Sequence, residues 1–173
     1  NLIILIEKLD EVFGFEFMSN IFKDKNFKRA RMLIMVPLVK NHPLNFITYV
    51  WNTLKKYLTT NELVEFCKAN DEHGHNLLFF STLNQKSIEN LEFFLSMVEE
   101  LFASKKDLQE YMLSTGFKGL NVLMLTISKD NEEAFFFLFN NIFLKYFELK
   151  EFIFEINDSS EHIFHLFTRL GTN

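Results

Sequence analysis

One pattern recurs along this chain at a spacing of about forty-five residues, and it limits the possible folds more than any other feature. "LVEFCKANDEHGHNLLFF" (63–80), "LQEYMLSTGFKGLNVLML" (108–125) and "LKEFIFEINDSSEHIFHL" (149–166) align without gaps. Each opens on Leu-x-Glu-aromatic, as Leu63/Glu65/Phe66, Leu108/Glu110/Tyr111 and Leu149/Glu151/Phe152. Each then crosses a polar loop and enters an apolar run. Gly74 matches Gly119, Asn76 matches Asn121, and Ser160 stands at the glycine position of the last segment. Forty-five residues before Gly74 lies Arg29, followed by "ARMLIMVPLV", a weaker fourth occurrence. A unit of this size cannot bury an apolar face alone, so successive units must stack.

Within each unit the periodicity predicts helices. Asn76 is an N-cap residue ahead of "LLFFSTLN". Ile88, Leu91, Leu95, Val98 and Phe102 recur at spacings of three and four, the face of a longer amphipathic helix. The preceding unit's version begins at Pro43, a suitable first helical residue, and carries Phe46, Ile47, Val50, Leu54 and Leu58. A third, short helix opens on a capping box, Thr59-x-x-Glu62 in one unit and Ser104-x-x-Asp107 in the next. No such box is expected before Leu149. "FFFLFNNIFLKYF" (135–147) is apolar nearly all round, which predicts a helix clasped between neighbours. Composition fits packed helices with short connections: 23 Phe against 5 Gly and 2 Pro in 173 residues. The expected fold class is all-α, an α-solenoid of about three to four stacked repeats. The expected units are 1–23 (partial), 24–68, 69–113, 114–154 and 155–173 (partial), in one array. Both ends fall inside a unit without a polar cap, as expected of an excerpt from a longer array.

The segment Asp71-x-x-Gly74-x-Asn76-Leu77-Leu78-Phe79-x-Ser81 resembles the core line of the ankyrin repeat, an Asp before Gly-x-Thr-Pro-Leu-His-x-Ala. Gly119, Asn121, Val122, Leu123, Met124 and Thr126 hold those places in the next unit, and Asp158, Phe164 and His165 in the last. "DNEEAFFFLF", with Glu133, resembles the family's second-helix line. No unit keeps Thr-Pro-Leu-His whole, and the period exceeds the usual repeat of about 33 residues by roughly ten. Armadillo or HEAT repeats are the alternative; the recurring glycine-anchored loop favours the ankyrin resemblance. The resemblance implies binding through loop tips and concave inner helices.

Little in the sequence suggests catalysis. His73 and His75 flank Gly74, but their counterparts are Lys118 and Leu120, then Ser159 and Glu161, so neither belongs to a recurring metal site. They read as solvated loop histidines. Cys67 is the sole cysteine and sits in an apolar helix, as a packed thiol would. Phosphate-loop, Gly-x-Ser-x-Gly and His-Glu-x-x-His motifs are absent. The sequon Asn157-Asp158-Ser159 is a common chance triplet. A formal charge of −5 gives no basic footprint for nucleic acid. No stretch reaches the roughly 18 apolar residues of a membrane span. One cysteine and no recognisable signal peptide point to an intracellular site, cytoplasmic or nuclear.

The sequence therefore reads as a non-catalytic protein-interaction scaffold without a cofactor or metal. A second reading makes it the target-recognition region of a larger toxin or effector whose catalytic part lies elsewhere. The basic stretch "KDKNFKRAR" (23–31) is read as a loop-tip finger for an acidic partner surface, with Phe27 as its aromatic anchor. The partner-binding candidates are Lys25, Asn26, Phe27, Lys28, Arg29, Arg31, Glu72, His73, Phe117 and Lys118 at loop tips. Phe80, Asn84 and Lys129, with Met35, Leu83, Leu125 and Ser128, are the inner-helix candidates.

Overall fold

The computed structural model describes residues 2–24, 27–40, 42–83 and 88–170, and these form helices, turns and loops with no strand. The helices are α1 (Leu2–Phe22), α2 (Lys28–Lys40), α3 (Leu44–Tyr57), α4 (Thr60–Lys68), α5 (Leu77–Thr82) and α6 (Glu89–Leu101). They continue as α7 (Lys105–Met112), α8 (Val122–Ser128), α9 (Glu132–Leu138), α10 (Leu144–Tyr146), α11 (Leu149–Phe152) and α12 (Ile163–Leu170). A π-helical turn, Phe139–Phe143, joins α9 to α10 in one helical rod.

These helices sort into rows. Helices α2, α5, α8 and α12 pack side by side in that order. Helices α1, α3 and α6 pack in a second row, each against the helix that follows or precedes it there. Helices of both rows are buried on more than one face, which explains the phenylalanine load. Phe66, Phe79, Phe94, Phe143 and Phe152 are almost fully buried, and burying such a side chain contributes about 1.5–3 kcal/mol. In α6 the expected face at Leu91, Leu95, Val98 and Phe102 is buried, and so are Phe94, Met97 and Leu101 beside it.

Local capping sets the helix starts. Thr59 Oγ1 accepts from Glu62 N at 3.3 Å while Glu62 Oε2 accepts from Thr59 N at 2.8 Å, a complete capping box. Ser104 accepts from Asp107 N at 3.0 Å. Asn76 caps α5 through Leu78 N, and Asn121 caps α8 through Met124 N, each at 3.0 Å. A box also forms ahead of Leu149, contrary to expectation. Glu148 stands in for the hydroxyl residue, and Glu151 accepts from Glu148 N at 2.7 Å. At the corresponding place in α1 no cap exists: Gly14, at φ 75° and ψ −179°, breaks the helix instead. The rod over 132–146 also differs from the expected clasped helix, because Phe136 and Leu144 are exposed.

Contacts between sequence-distant helices repeat with a regular offset. Ser19 Oγ donates to Tyr57 O at 3.1 Å, and Gln109 Nε2 to Tyr146 O at 2.6 Å, from corresponding positions of α1 and α7. Asn90 Nδ2 donates to His42 O at 3.4 Å, and Asn131 Nδ2 to Thr82 O at 3.1 Å. On the outer surface Lys56 pairs with Asp10, Lys55 with Glu100 at 3.4 Å, and Lys145 with Glu99 at 2.8 Å. Tyr146 Oη also donates to Glu99 at 2.6 Å. The last two bonds join the C-terminal ends of α6 and of the 132–146 rod. Cys67, in α4, is fully buried, and burial pushes its thiol pKa up.

A candidate partner-binding cleft between loops and short helices

Three loops carry the same backbone hydrogen bonds. Asp71 N donates to His75 O at 2.9 Å, Gly116 N to Leu120 O at 3.0 Å, and Asn157 N to Glu161 O at 3.0 Å. Inside these, Gly74 N reaches Asp71 O at 3.1 Å, Gly119 N reaches Gly116 O at 3.0 Å, and Ser160 N reaches Asn157 O at 2.9 Å. The last residue of each inner turn has a left-handed backbone: φ is 81° at Gly74, 67° at Gly119 and 58° at Ser160. Glycine adopts this conformation without the Cβ clash that other residues suffer.

Side chains hold two of these loops from within. Asp71 Oδ1 accepts from His73 N and His75 N, each at 2.8 Å. Asn157 Oδ1 accepts from Ser159 N and Glu161 N, each at 2.9 Å. Asn157, and not Asp158, therefore holds the place of Asp71, which shifts the expected assignment by one residue. Asn157 is also buried, with Nδ2 on Glu161 at 2.9 Å, so the sequon's acceptor is engaged in its own loop. Asp158 instead joins neighbouring loops: its N donates to Lys118 O at 3.0 Å. The loops approach so closely there that a Cβ on Gly119 would lie 2.8 Å from Asp158 N.

The two histidines part company. His73 is exposed, as expected. His75 is not a solvated loop residue. Its ring stacks on Phe79 at 5.4 Å, and it fills the space where a Cβ on Gly116 would come within 2.7 Å of it. Among the described residues no group of three or more His, Cys, Asp or Glu side chains is placed to hold a metal ion.

Where these loops meet α5, α8 and α12 they leave a cleft of about 340 Å³. Phe79, Leu83, Phe117, Leu120 and Leu125 give it an apolar lining, and Lys118, Lys129 and Arg169 bring positive charge to it. Glu161 is the one carboxylate in the lining, and it pairs with Arg169 at 2.9 Å. Lys118 Nζ also lies 5.3 Å from the Phe117 ring, a cation–π distance. Of the sequence candidates, Phe117, Lys118, Leu83, Leu125, Ser128 and Lys129 line this one cleft, although Leu125 is itself buried. Phe80 is half-buried outside the lining, edge-on to His75 at 6.0 Å. Asn157, Ser159, Glu161 and Arg169 were missed by sequence reasoning. Extending the third aligned segment by three residues would have reached Arg169.

Among the described residues the basic stretch does not form an exposed finger. Phe27 is half-buried and packs edge-on against Phe66 at 6.0 Å, so it belongs to the core boundary and not to an exposed tip. Lys28, Arg29 and Arg31 lie in the first turn of α2. Arg31 is buried, and Nη1 donates to Ala69 O at 2.7 Å, at the C-terminal end of α4 where a helix dipole favours a cation. Burial lowers the pKa of Arg31, while Asp71 and Asp24 oppose that shift. Lys23 pairs with Glu62 at 2.8 Å, and that pair, with the Thr59 cap, holds the Glu62 carboxyl down at about 2. Lys28, Arg31, Met35 and Glu72 line a separate, shallower cleft of about 580 Å³, which also holds Asp24 and Asp71. Lys25, Asn26 and Asn84 lie outside the described residues, as does the side chain of Arg29.

No helix among the described residues is long and apolar enough to cross a membrane. Comparison with protein-family models, with curated proteins and with solved structures finds no match.

Proposed function

We propose that this chain is an ankyrin-like α-solenoid whose role is to bind another protein, without catalysis, through the cleft lined by Phe117, Lys118, Lys129 and Arg169. The observation that carries this reading is the cleft itself, built by consecutive loops with one shared hydrogen-bond scheme and by the short helices behind them. The recurring left-handed position, at Gly74, Gly119 and Ser160, supports ankyrin-like units over armadillo or HEAT units. Cations over an apolar floor favour a partner segment that pairs a carboxylate with an apolar side chain. The opposite charge speeds encounter, and burial of the apolar group slows release. Fold analogy supplies the rest of the argument.

The test uses position rather than capture alone. A photo-crosslinking side chain replacing exposed Phe117 should trap the partner, while one replacing exposed Lys106 on α7 should not. Lys118→Glu with Lys129→Glu should weaken that capture by about tenfold, an ordinary yield for two rim charges. Equal trapping from both positions, or capture indifferent to both reversals, would sink the reading.

A further inference from the structure

The cleft beside Phe117 differs in charge from the chain as a whole. The chain carries a formal −5. Among the described residues Lys118, Lys129 and Arg169 line this space, with Glu161 as its one carboxylate. With histidine counted as neutral, the lining holds about two positive charges. In the alignment of units, Lys118 stands where His73 does, Lys129 where Asn84 does and Arg169 where Ser128 does. The positive charge is therefore a property of this one cleft and not of the repeat. Glu161 is fixed on the wall. It accepts from Arg169 Nη1 at 2.9 Å and from Asn157 Nδ2 at 2.9 Å, which positions the guanidinium at the cleft.

The remaining lining is largely apolar. Phe79, Leu83, Leu120 and Leu125 supply it, and Phe117 stands beside them 52% exposed. A single carboxylate brings one charge to such a place. A phosphoryl group brings about two near pH 7, with several acceptor oxygens that lysine and arginine bind well. About 340 Å³ is room for one large side chain, not for a run of separate acidic residues. Phosphoserine or phosphothreonine would leave the apolar lining little to bury. A phosphotyrosine ring would cover it and meet Phe79 and Phe117 in ring contacts.

We propose that the cleft reads a phosphotyrosine side chain of the partner protein. The ring lies against Phe79 and Phe117, and the phosphoryl group lies among Lys118, Lys129 and Arg169. This rests on the cleft being the partner site and adds regulation to it. A carboxylate in the partner gives a weak contact, and phosphorylation of a neighbouring tyrosine strengthens it. The attraction acts between charges at an open cleft, so added salt should weaken it.

The direct test is a titration of the intact chain followed by amide nitrogen–proton spectra. The probes are N-acetyl-phosphotyrosine amide, N-acetyl-tyrosine amide, N-acetyl-glutamate amide and inorganic phosphate. The phosphotyrosine compound should bind in about the millimolar range, and about tenfold more tightly than each of the others. Shifts should gather at Phe117, Lys118 and Lys129. Lys118→Glu with Lys129→Glu should lower that affinity by about tenfold or more, while Lys106→Glu on α7 leaves it unchanged. All three lysines are exposed, so the melting curves should match the parent. Equal binding of the glutamate compound or of inorganic phosphate overturns the proposal, as does a phosphotyrosine affinity indifferent to the double reversal. Capture through a crosslinker at Phe117 separates that failure from loss of the partner site. Trapping should vanish when the extract is first treated with a tyrosine phosphatase. Trapping that survives the phosphatase keeps the cleft as the partner site and rejects phosphotyrosine, and no trapping at all rejects both.

Discussion

The turn at Asp24 and the loop at Asp71 begin with the same hydrogen bond and then part. Phe27 N reaches Asp24 O at 2.7 Å, and Gly74 N reaches Asp71 O at 3.1 Å. Both end in a left-handed residue, Phe27 at φ 50° and Gly74 at φ 81°. After Gly74 the chain takes two further residues, and Asn76 caps a helix of 6 residues. After Phe27 the helix starts at once and runs for 13 residues. Phe27, not Arg29, therefore holds the glycine position of the first turn. Its ring lies against Phe66, which offsets the cost of a conformation that Gly74 adopts freely. The turn is specified by its backbone bonds, and glycine, serine or phenylalanine can each stand at its end.

The comparison breaks most readily where loops touch. Gly119→Ala would place a Cβ 2.5 Å from Asp158 Oδ1 and 2.8 Å from Asp158 N, on top of a strained φ. It should lower stability by about 2–4 kcal/mol. Gly74→Ala meets nothing nearer than 3.6 Å and should cost only the left-handed strain, about 1–2 kcal/mol. Denaturant melts of both variants give the difference; equal losses would mean that loop-to-loop contact adds nothing. Next, Phe27→Ala removes a half-buried ring without relieving its backbone. It should cost about 1–2 kcal/mol, below the roughly 3–5 kcal/mol of a fully buried phenylalanine. A stability unchanged by Phe27→Ala would return that ring to the surface.

The smallest effect belongs to the ion pair that ties the first turn to α4. Glu62 titrates at about 2 in the folded chain, against an ordinary value of 4.5, first because of Lys23. A depressed carboxylate pKa stabilises the fold above the unfolded value. That contribution fades as pH falls from about 4.5 towards about 2. Solvent screens this half-exposed pair, so the contribution is at most about 1 kcal/mol. Glu62→Gln should flatten that part of the stability–pH curve and lower stability slightly near neutrality. Parallel acid limbs for the two proteins would show the pair to be energetically silent.

What could be read from the sequence follows the reach of each interaction. Thr59 with Glu62, Ser104 with Asp107, and the caps at Asn76 and Asn121 are bonds between residues two or three apart, and residue type alone marks them. Glu148 escaped because glutamate is not a favoured N-cap. Arg31 was misplaced because its partner, Ala69 O, lies 38 residues away and is a carbonyl that any residue could offer. Phe27 was misread for a related reason: a cationic neighbourhood says nothing about where a ring points. Half of the cleft was visible in Phe117, Lys118 and Lys129. Arg169 depended on how far α12 runs, and Glu161 on a carboxylate that also accepts from buried Asn157.

The burial of Cys67 makes the chain its own recorder of breathing motions. A thiol with no exposed surface and a raised pKa reacts with an alkylating probe only while α4 is lifted from its neighbours. Because α4 lies between α3 and α6, away from both ends, fraying of the first or last helix leaves the thiol silent. The labelling half-life thus clocks opening of the helices around α4, in the unmodified sequence and without a spectroscopic tag.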